Sequence, residues 1–566
     1  MFYPQYPTRK IYDLSGIWDF VFTPGAADPA VLPDNLTYEE KLSVPGCFDV
    51  LPKYAGLRGT AYYRTAVRMT ANTDLLLKIA GLGTWGAIFW DKKLVGIDDQ
   101  PYAGVEYAFN SGKGEVHELI IVIDNRFDFQ RQPLVRELFD FYCYGGIYRG
   151  IEIHEMAKKS LDRAQVTSKN LERGEVSVKV LFNGVADGEK VDVTYNFDDE
   201  SEKVVVLTVF GGCAEFAAAL ADKSVWSCEK PDLHTLTIKF AGDELVERFG
   251  LRTVKAEKGK ILLNGKPIKL FGFNRHESHP EFGAALPLGI IIEDLDLLRD
   301  LGVNFVRGSH YPQDQRFLDL CDEYGILVWE ETIGWGDTID IQQDPKFAAM
   351  QKAQQPLMIK ASYNHPCVVM WGLLNEGQTS TPECRALYKE MIDYLHQNDP
   401  TRLVTYATKY GIGDLNLDMV DVVSFNSYAG WYPTALTPEH YRPLDDIEPM
   451  LQLFQKFCLE SGLADKPFFI SETGAGGIYN WRDRFRGHWS EEYQADYLKK
   501  TCELLLNDPN VAGFSLWVFC DFRSYSTNRA VKRPRSFNNK GVLDEYRRPK
   551  LAYEVVKAAF HSIKKN

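Results

Sequence analysis

The chain has 566 residues, 45% apolar and 25% charged, which is an ordinary globular composition with room for about three or four domains at roughly 150 residues each. Acidic residues outnumber basic ones 78 to 64, a formal net charge of −14, and that balance argues against DNA, RNA or an anionic membrane as a main partner. The opening MFYPQYPTRKIYDLSG lacks the basic start and apolar run of a signal peptide, and no apolar stretch is long enough to span a bilayer, so the sequence reads as a soluble cytoplasmic protein.

From Leu14 to about Ala164 the chain is a series of short aromatic-rich runs: GIWDFVF, AYYRTAVRM, LLLKIAGL, GAIFWDKKLVG and HELIIVIDN. Turn residues separate them, the pattern of a β-sandwich of jelly-roll type, assigned to residues 1–165. VSVKVLFNG, KVDVTYNF, KVVVLTVFG and HTLTIKFAG follow, and predict a small immunoglobulin-like β-sandwich over 166–250. The ten cysteines are widely spaced with no CxxC pair, which predicts reduced thiols rather than a disulfide framework.

After Leu251 short apolar runs alternate with amphipathic helical stretches, the signature of parallel β/α architecture. The runs are KLFGFN (269–274), NFVRGS (304–309), ILVWEE (326–331), VVMWGLL (368–374), LVTYAT (403–408), VVSFNSY (422–428), FFISE (468–472) and GFSLWVF (513–519). Eight of them predict a (β/α)8 TIM barrel over 251–566. In that fold the chemistry sits where strands end.

Strand four ends in Asn375-Glu376 and strand seven in Ser471-Glu472. A carboxylate directly after an apolar strand is costly unless solvated, paired or used. Two across one barrel mouth suit glycoside hydrolysis, in which one carboxyl protonates the leaving oxygen and the other attacks or activates water. His276, His310, Tyr428, Tyr432 and Trp517 at other strand ends add the hydrogen-bonders and flat rings of a sugar pocket. A metal site at His276, His279 and His310 is set aside, because HExxH is absent, His276 and His279 being three apart on a strand exit, and hydrogen bonds to substrate hydroxyls or to Glu376 suit these histidines better. No cofactor is implied.

GFNRHESHP (272–280), NFVRGSHYP (304–312), NHPCVVMWGLLNE (364–376) and ISETG (470–474) resemble glycoside hydrolase family 2. The order jelly roll, immunoglobulin-like sandwich, barrel is that family's core. The resemblance implies Glu376 as acid/base, Glu472 as nucleophile, and retention of anomeric configuration. FNNKG (537–541) is similar to the Asn-x-Lys motif with which the family's β-glucuronidases hold the sugar carboxylate, here Asn538 and Lys540. DFYCYGGIYR (140–149) and NSYAGWY (426–432) resemble further glucuronidase segments, placing Asp140, Asn426, Tyr428 and Tyr432 around the sugar, with Asn375 on the 2-hydroxyl and Trp517 as a wall.

The span from Trp517 to Asn538 is longer than in that branch, and Pro534 stands where an arginine precedes the motif, leaving Arg533 or Arg535 as the substitute. The implied function is a retaining exo-acting β-hexuronidase, β-glucuronidase first. A β-galacturonidase or a dual enzyme is the alternative, then a β-galactosidase, and a non-catalytic carbohydrate-binding protein is the reading from another class. The short loop after strand three (331–360) implies a site open to oligosaccharides, and the family implies a dimer or tetramer.

Overall fold

In the computed structural model, residues 2–25, 28–432, 444–525 and 533–563 are described. The first sandwich packs a four-stranded antiparallel sheet (Ile11–Asp13, Ile151–Met156, Asp74–Ile79, Val105–Asn110) against a six-stranded one (Glu40–Val44, Gly16–Pro24, Gly59–Arg68, Val116–Asp124, Trp85–Trp90, Lys93–Asp98). Side chains alternate along strands such as Asp74–Ile79, one face on a core of Trp18, Phe20, Tyr63, Leu77 and Ile121, the other outward. The run GAIFWDKKLVG forms two strands. Asp91 and Lys92 between them both take positive φ (47° and 64°), as a tight two-residue hairpin turn demands.

Ser160–Asn170 opens a second sandwich of a three-stranded and a four-stranded antiparallel sheet, with Val178, Val193, Leu236 and Ile238 in its own core. A three-stranded meander (Val254–Glu257, Lys260–Leu263, Lys266–Ile268) then leads into the barrel.

The barrel strands are β1 Leu270–Arg275, β2 Phe305–Gly308, β3 Leu327–Glu331, β4 Val368–Gly372, β5 in two pieces (Leu403–Thr405 and Ala407–Thr408), β6 Val423–Asn426, β7 Phe468–Thr473 and β8 Val511–Leu516. All pair in parallel, β8 with β1, and the two pieces of β5 close the remaining seam. Both faces of these strands are buried, so they read as continuous apolar runs rather than alternating ones.

Helices follow seven of the strands; Asp344 and Ser490, for example, cap two of them through side-chain oxygens. After β5 the described chain forms only a short 3-10 turn, Gly411–Gly413, before β6. That shortcut leaves Tyr410 and Ile412 at the barrel mouth instead of on an outer helix. No helix among the described residues is long and apolar enough to cross a membrane. All ten cysteines are free.

Candidate active site

Arg307, at the end of β2, is fully buried and organises the floor of the barrel mouth. Its guanidinium grips both oxygens of Glu331 (3.0 and 2.9 Å) and donates to Asn274 (3.1 Å), to the Asn375 side-chain oxygen (2.8 Å) and to Glu472 Oε1 (2.8 Å). Only the planar, five-donor fork of arginine can hold two carboxylates and two amides at once. Tyr428 Oη donates to the other Glu472 oxygen at 2.7 Å. Glu472 is thus fixed through both oxygens and is 3% exposed.

Burial pushes the Glu472 carboxyl up to about 8; the Arg307 charge and the Tyr428 hydrogen bond oppose the rise, and the Glu376 charge adds to it.

Glu376 follows β4 by a sharp turn in which Leu374 and Glu376 both take positive φ (40° and 53°), a strained region for residues with side chains. The turn is held by Glu376 N–H donating to Ala407 O (2.9 Å) and Gly377 N–H to Leu374 O (3.2 Å). It throws the carboxylate across the mouth toward β5 and β6. There Asn426 Nδ2 donates to it at 2.8 Å, with Asn426 Oδ1 accepting from Ser471 Oγ at 2.7 Å, and Lys409 Nζ lies 3.7 Å from its second oxygen. Unlike Glu472, its side chain remains 12% exposed.

Both carboxylates line a cleft of about 530 Å³, together with Asp140, Asn426, Tyr428, Tyr432, Trp517, Arg533 and Lys540. Asp140 arrives from the first sandwich, on the segment between Val116–Asp124 and Gly146–Ile147, whose Phe139, Phe141 and Tyr144 join the barrel core. At the cleft's inner end it accepts from Asn538 Nδ2 (2.9 Å), Ser524 Oγ (3.0 Å) and Arg533 (Nε at 2.7 Å, and Nη2). Burial would raise the Asp140 carboxyl, but the Arg533 charge and hydrogen bond, with the Lys540 charge and the Ser524 hydrogen bond, together hold it low.

Lys540 is 2% exposed; its ammonium donates to Tyr432 Oη at 2.7 Å and forms no ion pair among the described residues. Burial and the neighbouring Arg533 charge both lower its pKa. Burial would raise the Tyr432 hydroxyl, but Lys540 and Arg533 together bring it down.

The remaining sequence candidates stand behind this lining. Asn375 is fully buried, its oxygen on Arg307 and its Nδ2 without a partner among the described residues. His310 Nδ1 bonds Glu331 (2.7 Å), and its ring stacks on Trp517 at 5.2 Å. His276 Nδ1 meets Tyr311 Oη (3.2 Å) in an aromatic nest with Phe141 and Phe522. Burial drives both imidazoles well below their usual pKa, which leaves them neutral.

Asn538 is fully buried, and its amide is engaged by Asp140 and by Lys540 N–H. Of the two arginine candidates, Arg533 enters the cleft, whereas Arg535 turns outward, half-exposed, to Glu545. Residues 526–532 of the lengthened span lie outside the described residues. The group with metal-ligand spacing among the described residues is Asp322, His365 and Cys367, none of which lines the cleft, not the histidines weighed from sequence.

Sequence reasoning omitted Lys409 and Trp335. Lys409 directly follows the fifth apolar run, so its place at a strand end was the available signal. Trp335 lies in a loop, held by Arg136 of the first sandwich, which donates to its carbonyl (2.9 Å) and to Asp337, and nothing local marks it.

A family model described as "Glycosyl hydrolases family 2, TIM barrel domain" matches residues 254–565. A β-glucuronidase from Streptococcus agalactiae is 27% identical over 616 aligned positions, covering 100% of this chain and 98% of that one. The crystal structure of a GH2 β-galacturonidase from Eisenbergiella tayi bound to galacturonate is similar with a TM-score of 0.88 and 33% identity, covering 98% of each chain. A β-D-glucuronidase structure from Dictyoglomus thermophilum is similar with a TM-score of 0.84, at 25% identity over 99% of each chain. The match of the barrel model, over more than half the sequence and across the strands that carry both carboxylates, places the chain in glycoside hydrolase family 2, and the protein is a glycoside hydrolase.

Proposed function

We propose that the protein is a retaining, exo-acting β-D-hexuronidase, with β-D-glucuronides as its first substrate class. One observation carries this reading: Lys540 is a buried ammonium at the inner end of the cleft with no carboxylate paired to it among the described residues. An uncompensated buried charge is expensive. A uronate carboxylate would supply the missing partner, with Tyr432 Oη beside it.

In this reading Glu472 attacks the anomeric carbon while protonated Glu376 gives its proton to the departing oxygen. Water, deprotonated by Glu376, then breaks the sugar–Glu472 ester and restores both groups. Arg307 and Tyr428 aim Glu472, and Asn375 is assigned the sugar 2-hydroxyl, a reading supported by an Nδ2 with no partner among the described residues. Ten free thiols, all buried except Cys213 and Cys228, fit a reducing cytosolic compartment.

The active form of the pair carries one proton, so it persists between the pair's two macroscopic titrations. With Glu472 at about 8, the alkaline limb of kcat/KM against pH is expected near pH 8. Activity falling away below pH 6 on that limb contradicts the shared-proton scheme.

A second reading, β-D-galacturonide hydrolysis, is favoured by the Arg533–Asp140 pair, which faces the sugar from an altered loop. Hydrolysis of p-nitrophenyl β-D-glucuronide, β-D-galacturonide and β-D-galactoside decides between the two. Either uronide is expected to exceed the galactoside, and Arg533→Lys, which cannot reproduce the two-pronged grip on Asp140, is expected to change the glucuronide-to-galacturonide ratio by about tenfold. Turnover of the galactoside alone overturns the hexuronidase proposal.

A further inference from the structure

The leaving-group side of the cleft is built unlike the sugar side. Trp335 comes from the loop after β3, Lys409, Tyr410 and Ile412 from the helix-less connection after β5, and Met450 and Phe454 from the helix Ile447–Glu460. Ile412 is 50% exposed, an apolar side chain left uncovered at the mouth. Within this apolar wall stands one cation. The Lys409 ammonium lies 5.7 Å from the Trp335 ring centre and 5.8 Å from that of Tyr410, with 41% of its side chain exposed. Its sole carboxylate neighbour within ion-pair distance among the described residues is Glu376, at 3.7 Å.

Lys409 thus stands beside Glu376, while Lys540 stands beside Tyr432, whose ring packs at 5.3 Å on that of Tyr428, the donor to Glu472. Lys540 and Arg533 are at the sugar end, so what lies past Glu376 beside Lys409 is the aglycone. Glu376 must be protonated when substrate binds, and in that state Lys409 has lost the charge it faces. A negative group on the aglycone would replace it, while the wall of Trp335, Tyr410 and Ile412 covers the aglycone's apolar body.

We propose that Lys409 makes this cleft selective for aglycones carrying a carboxylate, through a leaving-group site formed by Lys409 and the Trp335–Tyr410–Ile412 wall. This rests on the hexuronidase reading, and it adds the chemical class of the leaving group. At a half-exposed position one such ion pair is worth about a factor of five, equivalent to about 1 kcal/mol.

The test compares β-uronides of 4-hydroxybenzoate and of its methyl ester, which share the sugar and the ring and differ in the charge. Leaving-group reactivity also differs between them, so the quantity read is the acid-to-ester ratio of kcat/KM in each variant, in which that difference cancels. Relative to wild type, Lys409→Met is expected to lower the ratio about fivefold and Lys409→Arg to restore it to within about twofold; 0.5 M salt is expected to shrink the wild-type preference.

A parallel loss on both substrates, leaving the ratio unchanged, overturns the inference, because it means that Lys409 acts only on Glu376. Wild-type turnover of neither uronide, glucuronide or galacturonide, overturns the hexuronidase reading and this inference with it.

Discussion

Replacing Glu472 with Gln is expected to lower kcat by on the order of 10⁴-fold or more, the scale seen when a nucleophile is removed, while the thermal midpoint stays level or rises. The amide has almost the shape of the carboxylate. Its oxygen can still accept from Arg307, and its nitrogen donates to Tyr428 Oη, which turns from donor to acceptor, so both contacts to the side chain persist with the second reversed. The stability side follows from the sign of the titration shift. The carboxyl is pushed from 4.5 to about 8 by burial, so above pH 4.5 the unfolded chain ionises freely, while the fold must hold either a proton or a desolvated charge. A neutral amide removes that cost.

The assignment of roles is tested by azide. In Glu472→Ala, azide enters from the side the carboxylate occupied and displaces the aglycone, which Glu376 protonates, to give an α-glycosyl azide. In Glu376→Ala, azide instead attacks the sugar–Glu472 ester from the opposite side, giving the β-azide. Product anomers in the reverse order would exchange the two roles. A variant that binds a uronide but yields no azide adduct in either form would favour a binding protein over an enzyme mechanism at these residues.

The second large effect is expected at Lys540. Lys540→Met is expected to reduce kcat/KM on the preferred uronide by about 10²-fold, the worth of a charge-assisted hydrogen bond to a desolvated carboxylate. The matched neutral hexoside is expected to change by less than about threefold, since it offers no carboxylate to the ammonium. The loss is thus expected to depend on the substrate's charge. The fold should tolerate the change, because Lys540 is a buried ammonium whose charged form is already disfavoured by burial and by Arg533. Methionine keeps most of the volume and removes that cost. Equal losses on the acid and the neutral sugar would instead mark Lys540 as a support for Tyr432.

Eight apolar runs ending in polar residues were enough to read the barrel and to place Glu376 and Glu472 at its mouth, because strand ends in this fold are set by a local period. The sandwiches were legible for the same reason: alternation is a property of neighbouring residues. Asp91-Lys92 in the first sandwich and the break of β5 at Tyr406 were not legible, since both depend on how strands close rather than on which residues form them.

The same limit holds at the site. Sequence motifs named Arg533 and Arg535 as equals, and only folding turned one into the cleft and the other out to Glu545. Arg307 was visible as a strand end, but its hold on Glu331, Asn274, Asn375 and Glu472 joins residues up to 165 positions apart. Lys409 was marked by its place directly after the fifth apolar run, but its partner there, Glu376, depends on how the ends of β4 and β5 meet across the mouth. The sequence by itself determined which elements form and which residues end the strands, because hydrophobic period and turn chemistry act over a few residues. The tertiary structure alone decided which charges meet, which stay unpaired and which side of the cleft each faces, because electrostatic partnership depends on distances through space that no spacing along the chain encodes.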